Sequence, residues 1–334
     1  MGLKVGIVGA TGLVGGELLR ILEQRKFPVD EIFLFASDRS AGRKMTFLDE
    51  EIEVTETSDK SFRGIDIAFF SAGGDISKYF SPVAAKSGAI VIDNSSVFRM
   101  DPAVPLVVPE VNPRDIEMHT GIIANPNCST IQMVVALNPI HEVNPIKRII
   151  VSTYQAVSGT GAAGVNELAE QIAILADGRP SEIRTNTYPN QIAFNAMPFV
   201  EGFLDNDYTI EEWKMLEETR KILHEPDLPL VATCVRVPVY TSHGESVNIE
   251  LTRAMSSQEA REILARAPGV SVQDNPGEKV FPLPLSATGT DDVFVGRIRE
   301  DISHPSGLAM WIVADNLRKG AALNAVQIAE KIVK

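Results

Sequence analysis

The sequence predicts two domains, an α/β domain followed by an α+β domain with a mainly antiparallel sheet. The first observation is length, because 334 residues correspond to about two domains of roughly 150 residues each. The second is that β-branched runs alternate with helical stretches in the first third, which is typical of a parallel sheet covered on both faces. The third is that strand candidates outnumber helices after about residue 147. We place the first domain at residues 1–127 and the second at 128–315.

The first domain opens with a βαβ unit. Strand-like Leu3–Val8 precedes a helix at about Gly12–Gln24 and a strand at Glu31–Ala36. The same alternation continues through Ile65–Ser71, a helical Ile76–Ser87, Ala89–Asp93 and Leu106–Val111.

The second domain contains long strands with partial alternation of apolar residues, which favours antiparallel pairing. The candidates are Arg148–Gln155, Val231–Tyr240, Ser246–Ala254, Val293–Asp301 and Leu308–Ala314. Residues 316–334 then place apolar side chains mostly on one stripe, which predicts an amphipathic closing helix. Periodicity alone does not tell which domain that helix packs against.

Charge and cysteine usage narrow the function classes. The chain has 31 Lys and Arg against 44 Asp and Glu, a net charge of −13, so nucleic-acid binding is disfavoured and an anionic substrate needs local cations. Apolar runs such as Ile65–Ala72 are too short to span a membrane, and the first residues do not have the pattern of a secretory signal. Cys128 and Cys234 cannot form a disulfide framework. We therefore expect a cytoplasmic protein.

A glycine-rich turn follows the first strand. Gly9, Gly12 and Gly15 have the spacing that permits a tight turn, close approach of backbone N–H groups to a pyrophosphate, and close packing of helix on strand. The alternative is an ordinary strand-to-helix turn. Because strand, glycines and helix occur in the right order, we expect a Rossmann-type dinucleotide-binding domain.

The end of the second strand predicts which dinucleotide is bound. Ser37, Arg39 and Ser40 suit an adenosine 2′-phosphate, which a cation and hydroxyl groups can hold, and this favours NADP over NAD. Asp38 argues in the opposite direction, and Arg39 can also be interpreted as a solvated loop cation.

A cysteine lies where a polar turn leads into a helix. Cys128 follows Ala124–Asn127 and precedes the helical run Ile131–Leu137, so it falls at or near a helix N-terminus, where free N–H groups favour the thiolate. The alternative is a buried structural cysteine, which is how we interpret Cys234 within its apolar strand.

Several motifs spread over nearly the whole chain resemble the aspartate-semialdehyde dehydrogenases. They are GATGLVG at 9–15, SSVFR at 95–99, NPNCST at 125–130, TYQAVSGTG at 153–161, EEWK at 211–214, RVPVYTSHGE at 236–245 and DNLRKGAALNAVQ at 315–327. The cysteine context differs from the Ser-Cys-Thr-Thr of glyceraldehyde-3-phosphate dehydrogenases and the Gly-Cys-Tyr of N-acetyl-glutamyl-phosphate reductases.

This resemblance implies NADP-dependent reduction of 4-phospho-aspartate to aspartate 4-semialdehyde, the branch point toward lysine, methionine and threonine. Cys128 matches the nucleophile that forms a thioester, and His243 matches the general acid/base, a task for which imidazole is suited near neutral pH. Gln155 matches the residue that orients the acyl group. By itself, a histidine next to a glycine is more often an unremarkable surface group.

The resemblance also assigns residues to the substrate. Arg236 matches the clamp on the α-carboxylate, Glu211 the partner of the ammonium group, and Lys214 and Arg99 the phosphate ligands, with Asn127 among the substrate and phosphate residues. Two alternatives stay open. Arg236 can be a cation at a strand edge, and Glu211 with Lys214 can be an exposed ion pair on a solvated helix.

For the cofactor, the resemblance implies contacts in both domains, and it implies that the final helix returns to the first domain. The cofactor residues, beyond Ser37, Arg39 and Ser40, are Gly9, Thr11, Gly12, Leu13, Val14, Ser71, Gly73, Ser158, Gly159 and Asn316. Asn316 can equally cap the final helix. The histidines lack metal-ligand spacing, so no metal is expected. The family implies a homodimer, sometimes a tetramer.

Two other functions stay open. An N-acetyl-glutamyl-phosphate reductase would share the cysteine, the histidine and NADP, but it would not need Glu211 for a free ammonium group. A non-catalytic NADP-binding sensor would share the fold alone.

Overall fold

The computed structural model describes residues 2–333 and divides them into two compact units. The first contains the described residues up to Asn127 together with those from Ala321 onward, and the second contains Cys128–Gly320. An α/β unit and a unit with a mixed sheet are present, which confirms the predicted fold class. No helix within residues 2–333 is both long and apolar enough to cross a bilayer.

The first unit is built on a seven-stranded sheet. Its elements are β1 (Leu3–Val8), α1 (Leu13–Gln24), β2 (Val29–Ala36), β3 (Lys44–Phe47), β4 (Glu50–Glu56), β5 (Ile67–Phe70), α2 (Gly74–Lys86), β6 (Ile90–Asp93) and β7 (Ile122–Ala124). The order is β3-β4-β2-β1-β5-β6-β7, and all neighbours pair in parallel except β3 with β4. The carboxyl ends of β1, β2 and β5 therefore lie at one edge, where α/β sheets bind ligands.

Two features of this sheet differ from the prediction. The β3–β4 hairpin was not anticipated, and Leu106–Val111 is not a strand. Leu106 makes one isolated bridge to Ala124, and Val108 donates its backbone N–H to the Asn112 side chain instead of to a strand. Pro109 has no N–H to donate, so the ladder cannot continue.

The second unit places helices against a six-stranded sheet. Its elements are α3 (Cys128–Val143), β8 (Ile146–Gln155), α4 (Ala162–Ala176), α5 (Ile210–Leu223), β9 (Leu230–Arg236), β10 (His243–Leu251), α6 (Ser257–Leu264), β11 (Val270–Val272), α7 (Pro284–Ala287), β12 (Val293–Glu300) and β13 (Gly307–Ala314). The order is β11-β12-β13-β10-β8-β9. The three central pairings are antiparallel and the two edge pairings are parallel.

The closing helix starts later than predicted. Helix α8 runs Leu323–Ile332 and is preceded by a π-helical turn at Arg318–Ala322, so the predicted range 316–334 is too long at its start. The Asp315 carboxylate accepts the backbone N–H groups of Leu317 at 2.8 Å and of Arg318 at 3.2 Å, which caps the turn. The predicted end at residue 334 lies outside the described residues.

Helix α8 belongs to the first unit, where its apolar face joins the core around β1 and α1. Asn324 donates to the Val107 carbonyl at 3.0 Å, and Glu330 pairs with Arg25 at 2.6 Å. The last apolar stripe of the chain therefore completes the core that the first strand begins.

Candidate active site

Three strand termini place polar side chains at one edge of the sheet in the second unit. Strand β8 ends at Gln155, and its parallel neighbour β9 ends at the paired residue Arg236. Strand β10 runs antiparallel to β8 and begins at His243. These three residues, predicted as separate site residues, therefore share one edge.

Cys128 is the first residue of α3 and is partly exposed. Its Sγ lies 3.2 Å from Nε2 of His243. The backbone N–H groups of the first helical turn have no partner inside the helix, and they favour negative charge on sulfur. Cys234, in contrast, is fully buried, and burial raises the pKa of its thiol, as expected of a structural cysteine.

His243 is fully buried and its ring is oriented by the backbone. Nδ1 accepts the backbone N–H of Ala156 at 3.0 Å, so the proton of the neutral ring is on Nε2, facing the cysteine sulfur. Burial, together with the nearby Arg236 guanidinium, lowers the pKa of His243 to about 3. The ring is therefore a neutral hydrogen-bond donor at physiological pH.

A strained turn precedes His243. Ser242 is buried and has a φ of 75°, a left-handed conformation that is uncommon for a residue other than glycine. Its N–H donates to Oδ1 of Asn316 at 2.8 Å, and the Asn316 amide donates to Oγ of Ser158 at 3.0 Å. Asn316 thus ties two site loops together, and Asp315, not Asn316, caps the turn before the final helix. Contacts of Ser158 and Asn316 with a cofactor stay a prediction.

Gln155, Glu211 and Lys214 form a connected group. Nε2 of Gln155 donates to Glu211 at 2.8 Å, and Nζ of Lys214 lies 3.4 Å from Glu211 and 2.6 Å from Glu201. The side chains of Glu211 and Lys214 are 5% and 18% exposed, so they are not an exposed ion pair on a solvated helix. Helix α5, whose N-terminus has a Thr209–Glu212 capping box, holds both at its start.

Arg236 is buried and lines a cavity of about 480 Å³. Its Nη1 donates to the carbonyl of Ala156 at 2.6 Å, so it is not an isolated cation at a strand edge. A Cβ on Gly159 would lie 2.9 Å from that nitrogen and 3.5 Å from Nε2 of His243. Gly159, which resemblance assigned to the cofactor, therefore borders the histidine and the arginine. The cavity is also lined by Tyr188, Met197, Phe199 and Glu201.

In the first unit, the predicted nucleotide turn lies at the carboxyl ends of β1 and β5. Gly9 has a φ of 86°, and a Cβ there would lie 2.5 Å from the carbonyl oxygen of Ser71. A Cβ on Gly15 would lie 2.3 Å from the carbonyl oxygen of Gly9. Only glycine permits this approach, and the backbone it exposes fits a pyrophosphate. Gly12 precedes α1, whose first turn contains Leu13 and Val14, and Gly73 precedes α2 with a φ of 78°.

The loop after β2 lies beside that turn. Oγ1 of Thr11 donates to Oγ of Ser40 at 3.4 Å, and Ser37 directly precedes the 3-10 turn that contains Arg39 and Ser40. Arg39 is exposed, and no described residue pairs with its guanidinium. The Asp38 carboxylate accepts the backbone N–H of Arg39 at 2.8 Å. Contacts of Ser37, Arg39 and Ser40 with a phosphate on the adenosine ribose stay a prediction.

Arg99 is held by main-chain carbonyls of the first unit. Its Nε donates to Asn125 at 3.0 Å and its Nη2 to Asn94 at 2.8 Å. Burial raises the pKa of neighbouring Asp93, which accepts hydrogen bonds from the N–H and Oγ of Ser95 and so supports this loop. Asn127 is buried at the end of this unit, next to Cys128 in sequence. The phosphate roles of Arg99 and Asn127 stay predictions.

Comparison with known proteins decides the family. Residues 4–119 match the family model described as semialdehyde dehydrogenase, NAD binding domain, and residues 137–319 match semialdehyde dehydrogenase, dimerisation domain. The aspartate-semialdehyde dehydrogenase of Aquifex aeolicus is 56% identical over 100% of this chain and 99% of that protein, and the one of Bacillus subtilis is 52% identical over 100% and 98%. This chain belongs to the aspartate-semialdehyde dehydrogenase family.

Solved structures of aspartate-semialdehyde dehydrogenases have the same fold as this chain. Aspartate semialdehyde dehydrogenase II of Vibrio cholerae, complexed with ASA, has a TM-score of 0.97 and 48% identity, covering 100% of this chain and 98% of that one. The Candida albicans enzyme with NADP has a TM-score of 0.77 and 26% identity, covering 100% and 99%.

Sequence reasoning missed four residues in this member of the aspartate-semialdehyde dehydrogenase family. Ala156 acts through its backbone, and Ser242 through a strained turn, so neither leaves a side-chain signal. Gln132 donates to the carbonyl of His243 at 3.3 Å. Glu245 was detectable, because it is an acid at an inward position of a strand whose next inward residues, Val247, Ile249 and Leu251, are apolar. Among residues 2–333 no group of three or more metal-binding side chains is present.

Proposed function

We propose that this chain is an NADP-dependent aspartate-semialdehyde dehydrogenase that reduces 4-phospho-L-aspartate to L-aspartate 4-semialdehyde through a thioester on Cys128. The observation that carries the proposal is the 3.2 Å approach of Cys128 Sγ to Nε2 of His243 at a helix N-terminus. Gln155, Glu211 and Arg236 surround this pair with the groups that an amino-acid substrate requires.

The chemistry begins at sulfur. The Cys128 thiolate attacks the acyl carbon, the C–O bond to phosphate breaks, and phosphate leaves with the bonding electrons. This leaves a thioester on Cys128. NADPH, when bound, supplies the hydride that reduces the thioester carbonyl carbon. The Nε2–H of His243, beside the sulfur, is placed to donate to the oxygen of the tetrahedral hemithioacetal anion. Collapse of this anion breaks the C–S bond, releases the aldehyde and returns the electron pair to sulfur.

Although the chain has a net charge of −13, the site contains both positive and negative side chains for the substrate. Arg236 offers a guanidinium for the α-carboxylate, and Glu211 a carboxylate for the ammonium group. Gln155, bonded to Glu211, can orient the acyl group without changing charge. The phosphate roles proposed for Lys214, Arg99 and Asn127 are supported by the family resemblance alone.

The cofactor is proposed to lie along the glycine turn of the first unit. The backbone at Gly9 and Gly12, with Thr11, Ser71 and Gly73, supports the pyrophosphate region. Arg39 and Ser40 support the 2′-phosphate that distinguishes NADP from NAD. A homodimer is proposed from the match to a dimerisation domain.

The direct test is NADP reduction with aspartate semialdehyde and inorganic phosphate. Turnover that requires both phosphate and Cys128, and that is lost in Cys128→Ser while NADP binding persists, supports the proposal. N-acetyl-glutamate semialdehyde is the matched control substrate and is expected to be inactive. Binding of NADP without turnover on either aldehyde would overturn the enzymatic assignment.

A further inference from the structure

Glu245 is a buried acid to which the proposed reaction gives no task. It lies on β10 two residues after His243, so its side chain is on the same face of the strand. Both residues are fully buried. The following residues of that face, Val247, Ile249 and Leu251, form part of the apolar core. An ionised carboxylate at such a position is costly unless a cation or several donors compensate it.

Gln132 faces this acid from helix α3. It is four residues after Cys128 and therefore on the same side of the helix, one turn further along. Its Nε2 donates to the carbonyl of His243 at 3.3 Å. Gln132 follows Cys128 by one helical turn, and Glu245 follows His243 by two strand residues. The second pair of side chains is therefore one step further along both elements than the first pair.

The contacts of Glu245 indicate its protonation state. Neither carboxyl oxygen of Glu245 nor Oε1 of Gln132 has a hydrogen-bond donor among the described residues. The other titratable groups that face Glu245 are Glu211 from α5 and Cys234 from β9, and neither supplies positive charge. Burial raises the pKa of Glu245 well above its ordinary value, because burial and the nearby Glu211 outweigh the opposing effect of the Gln132 amide. Oε1 of Gln132 and the Glu245 carboxyl group are both buried acceptors without a partner in the described part of the chain, and a proton on the acid would join them.

We propose that Glu245 is a positioning residue that stays protonated and donates its O–H to Oε1 of Gln132, tying the cysteine helix to the histidine strand. The bond fixes the helix register that keeps Sγ beside Nε2. The neutral acid also keeps negative charge away from the sulfur, where it would oppose the thiolate. The activity readout of this inference rests on the proposed function, whereas the stability and alkylation readouts do not.

The activity test compares Glu245→Gln with Glu245→Ala. Glutamine is neutral, has the same shape and can donate to Gln132, so we expect its kcat to stay within about threefold of the parent. Alanine removes the donor. We expect kcat to fall by about tenfold or more and KM to change by less than about twofold, because a displaced Cys128 sulfur weakens binding of the transition state more than binding of the substrate. Val247→Ala truncates the next side chain on the same face and controls for lost packing, with kcat unchanged.

Stability against pH is measured by denaturant midpoints of the parent and Glu245→Gln. An unfolded glutamate ionises above its ordinary pKa of about 4.3 while the folded one keeps its proton, so the parent loses stability relative to Glu245→Gln as pH rises from about 5 to 8. The iodoacetamide reactivity of Cys128 against pH is expected to have the same midpoint in both proteins.

Three results would overturn the inference. They are a Glu245→Gln variant as impaired as Glu245→Ala, a stability difference that does not grow with pH, or a lower alkylation midpoint in Glu245→Gln, which would mean that a carboxylate had been removed. If aspartate semialdehyde proves not to be the substrate, the stability and alkylation results still decide the role of Glu245.

Discussion

The backbone N–H of Ala156 donates to Nδ1 of His243 at 3.0 Å. That single bond decides where the imidazole proton is, since a neutral ring that accepts at Nδ1 carries its hydrogen on Nε2. The carbonyl of the same residue accepts Nη1 of Arg236 at 2.6 Å. One residue directly after β8 therefore orients both the histidine and the proposed carboxylate clamp.

The first prediction concerns His243. Because its pKa is lowered to about 3, the ring is neutral above that pH, and it gives no titration step between about pH 5 and 8. The unfolded ring takes up a proton below about pH 6.5, so this residue makes the fold less stable as pH falls through that value. Long-range nitrogen–proton NMR spectra are expected to show the Nε2–H tautomer from pH 5 upward. A midpoint near pH 6.5 in the folded protein would contradict this prediction.

The second prediction concerns Gly159. A Cβ there would lie 2.9 Å from Nη1 of Arg236, so Gly159→Ala displaces the guanidinium. We expect KM for aspartate semialdehyde to rise by about tenfold, corresponding to about 1.4 kcal/mol, with KM for NADP nearly unchanged. Steady-state kinetics with each substrate varied separates the two. Gly202→Ala, which makes only an ordinary contact at 3.6 Å with Ile210, is the matched control. A rise confined to KM for NADP would instead place Gly159 against the cofactor.

The third prediction concerns the substrate ammonium group. Glu211→Gln keeps shape but removes the charge, and we expect kcat/KM for aspartate semialdehyde to fall by about a hundredfold, since hydrogen bonds to charged groups contribute about 1.5–3 kcal/mol. For succinate semialdehyde, which lacks the amino group, we expect the same substitution to lower kcat/KM much less. Glu217→Gln, on the same helix and paired with Arg220, serves as the control. Equal losses on both aldehydes would refute an ammonium contact.

The fourth prediction concerns cofactor preference. Arg39→Ala is expected to raise the Kd for NADPH by about tenfold or more and to leave the Kd for NADH unchanged, because only the former has a 2′-phosphate. Calorimetric titration measures both, with Arg43→Ala as a nearby exposed control. If the Kd values for NADPH and NADH rise by the same factor, Arg39 does not bind the 2′-phosphate.

Much of the fold followed from local pattern. The apolar run of β1 and the alternation of β10 predicted strands that the structure confirms, although β10 runs His243–Leu251 and not Ser246–Ala254. The β3–β4 hairpin was missed because each of its strands has only two apolar residues in alternation, Met45 and Phe47 in β3 and Ile52 and Val54 in β4. The closing helix was drawn too long because Asp315, rather than periodicity, decides where it starts.

The site was predictable only where side chains carry the chemistry. The motifs pointed to Cys128 and His243 separately, but the 3.2 Å approach of Sγ to Nε2 depends on how helix α3 packs beside strand β10, which is distant in sequence. Ala156 acts through its backbone N–H and carbonyl, and Gly159 through the absence of a side chain. The residue types alone therefore do not reveal either role. The Ser242 strain exists only because Asn316 and Thr288 hold the turn in place.

The measurement that tests the thioester most directly is a single turnover without phosphate. The protein is mixed with NADP and aspartate semialdehyde, NADPH is followed optically, and the acid-quenched protein is mapped by mass spectrometry. We predict about one NADPH per active site, an aspartyl group on the peptide that contains Cys128, and sustained turnover only after phosphate is added. Sustained NADPH production without phosphate, or NADPH formed with no adduct on Cys128, would contradict the account.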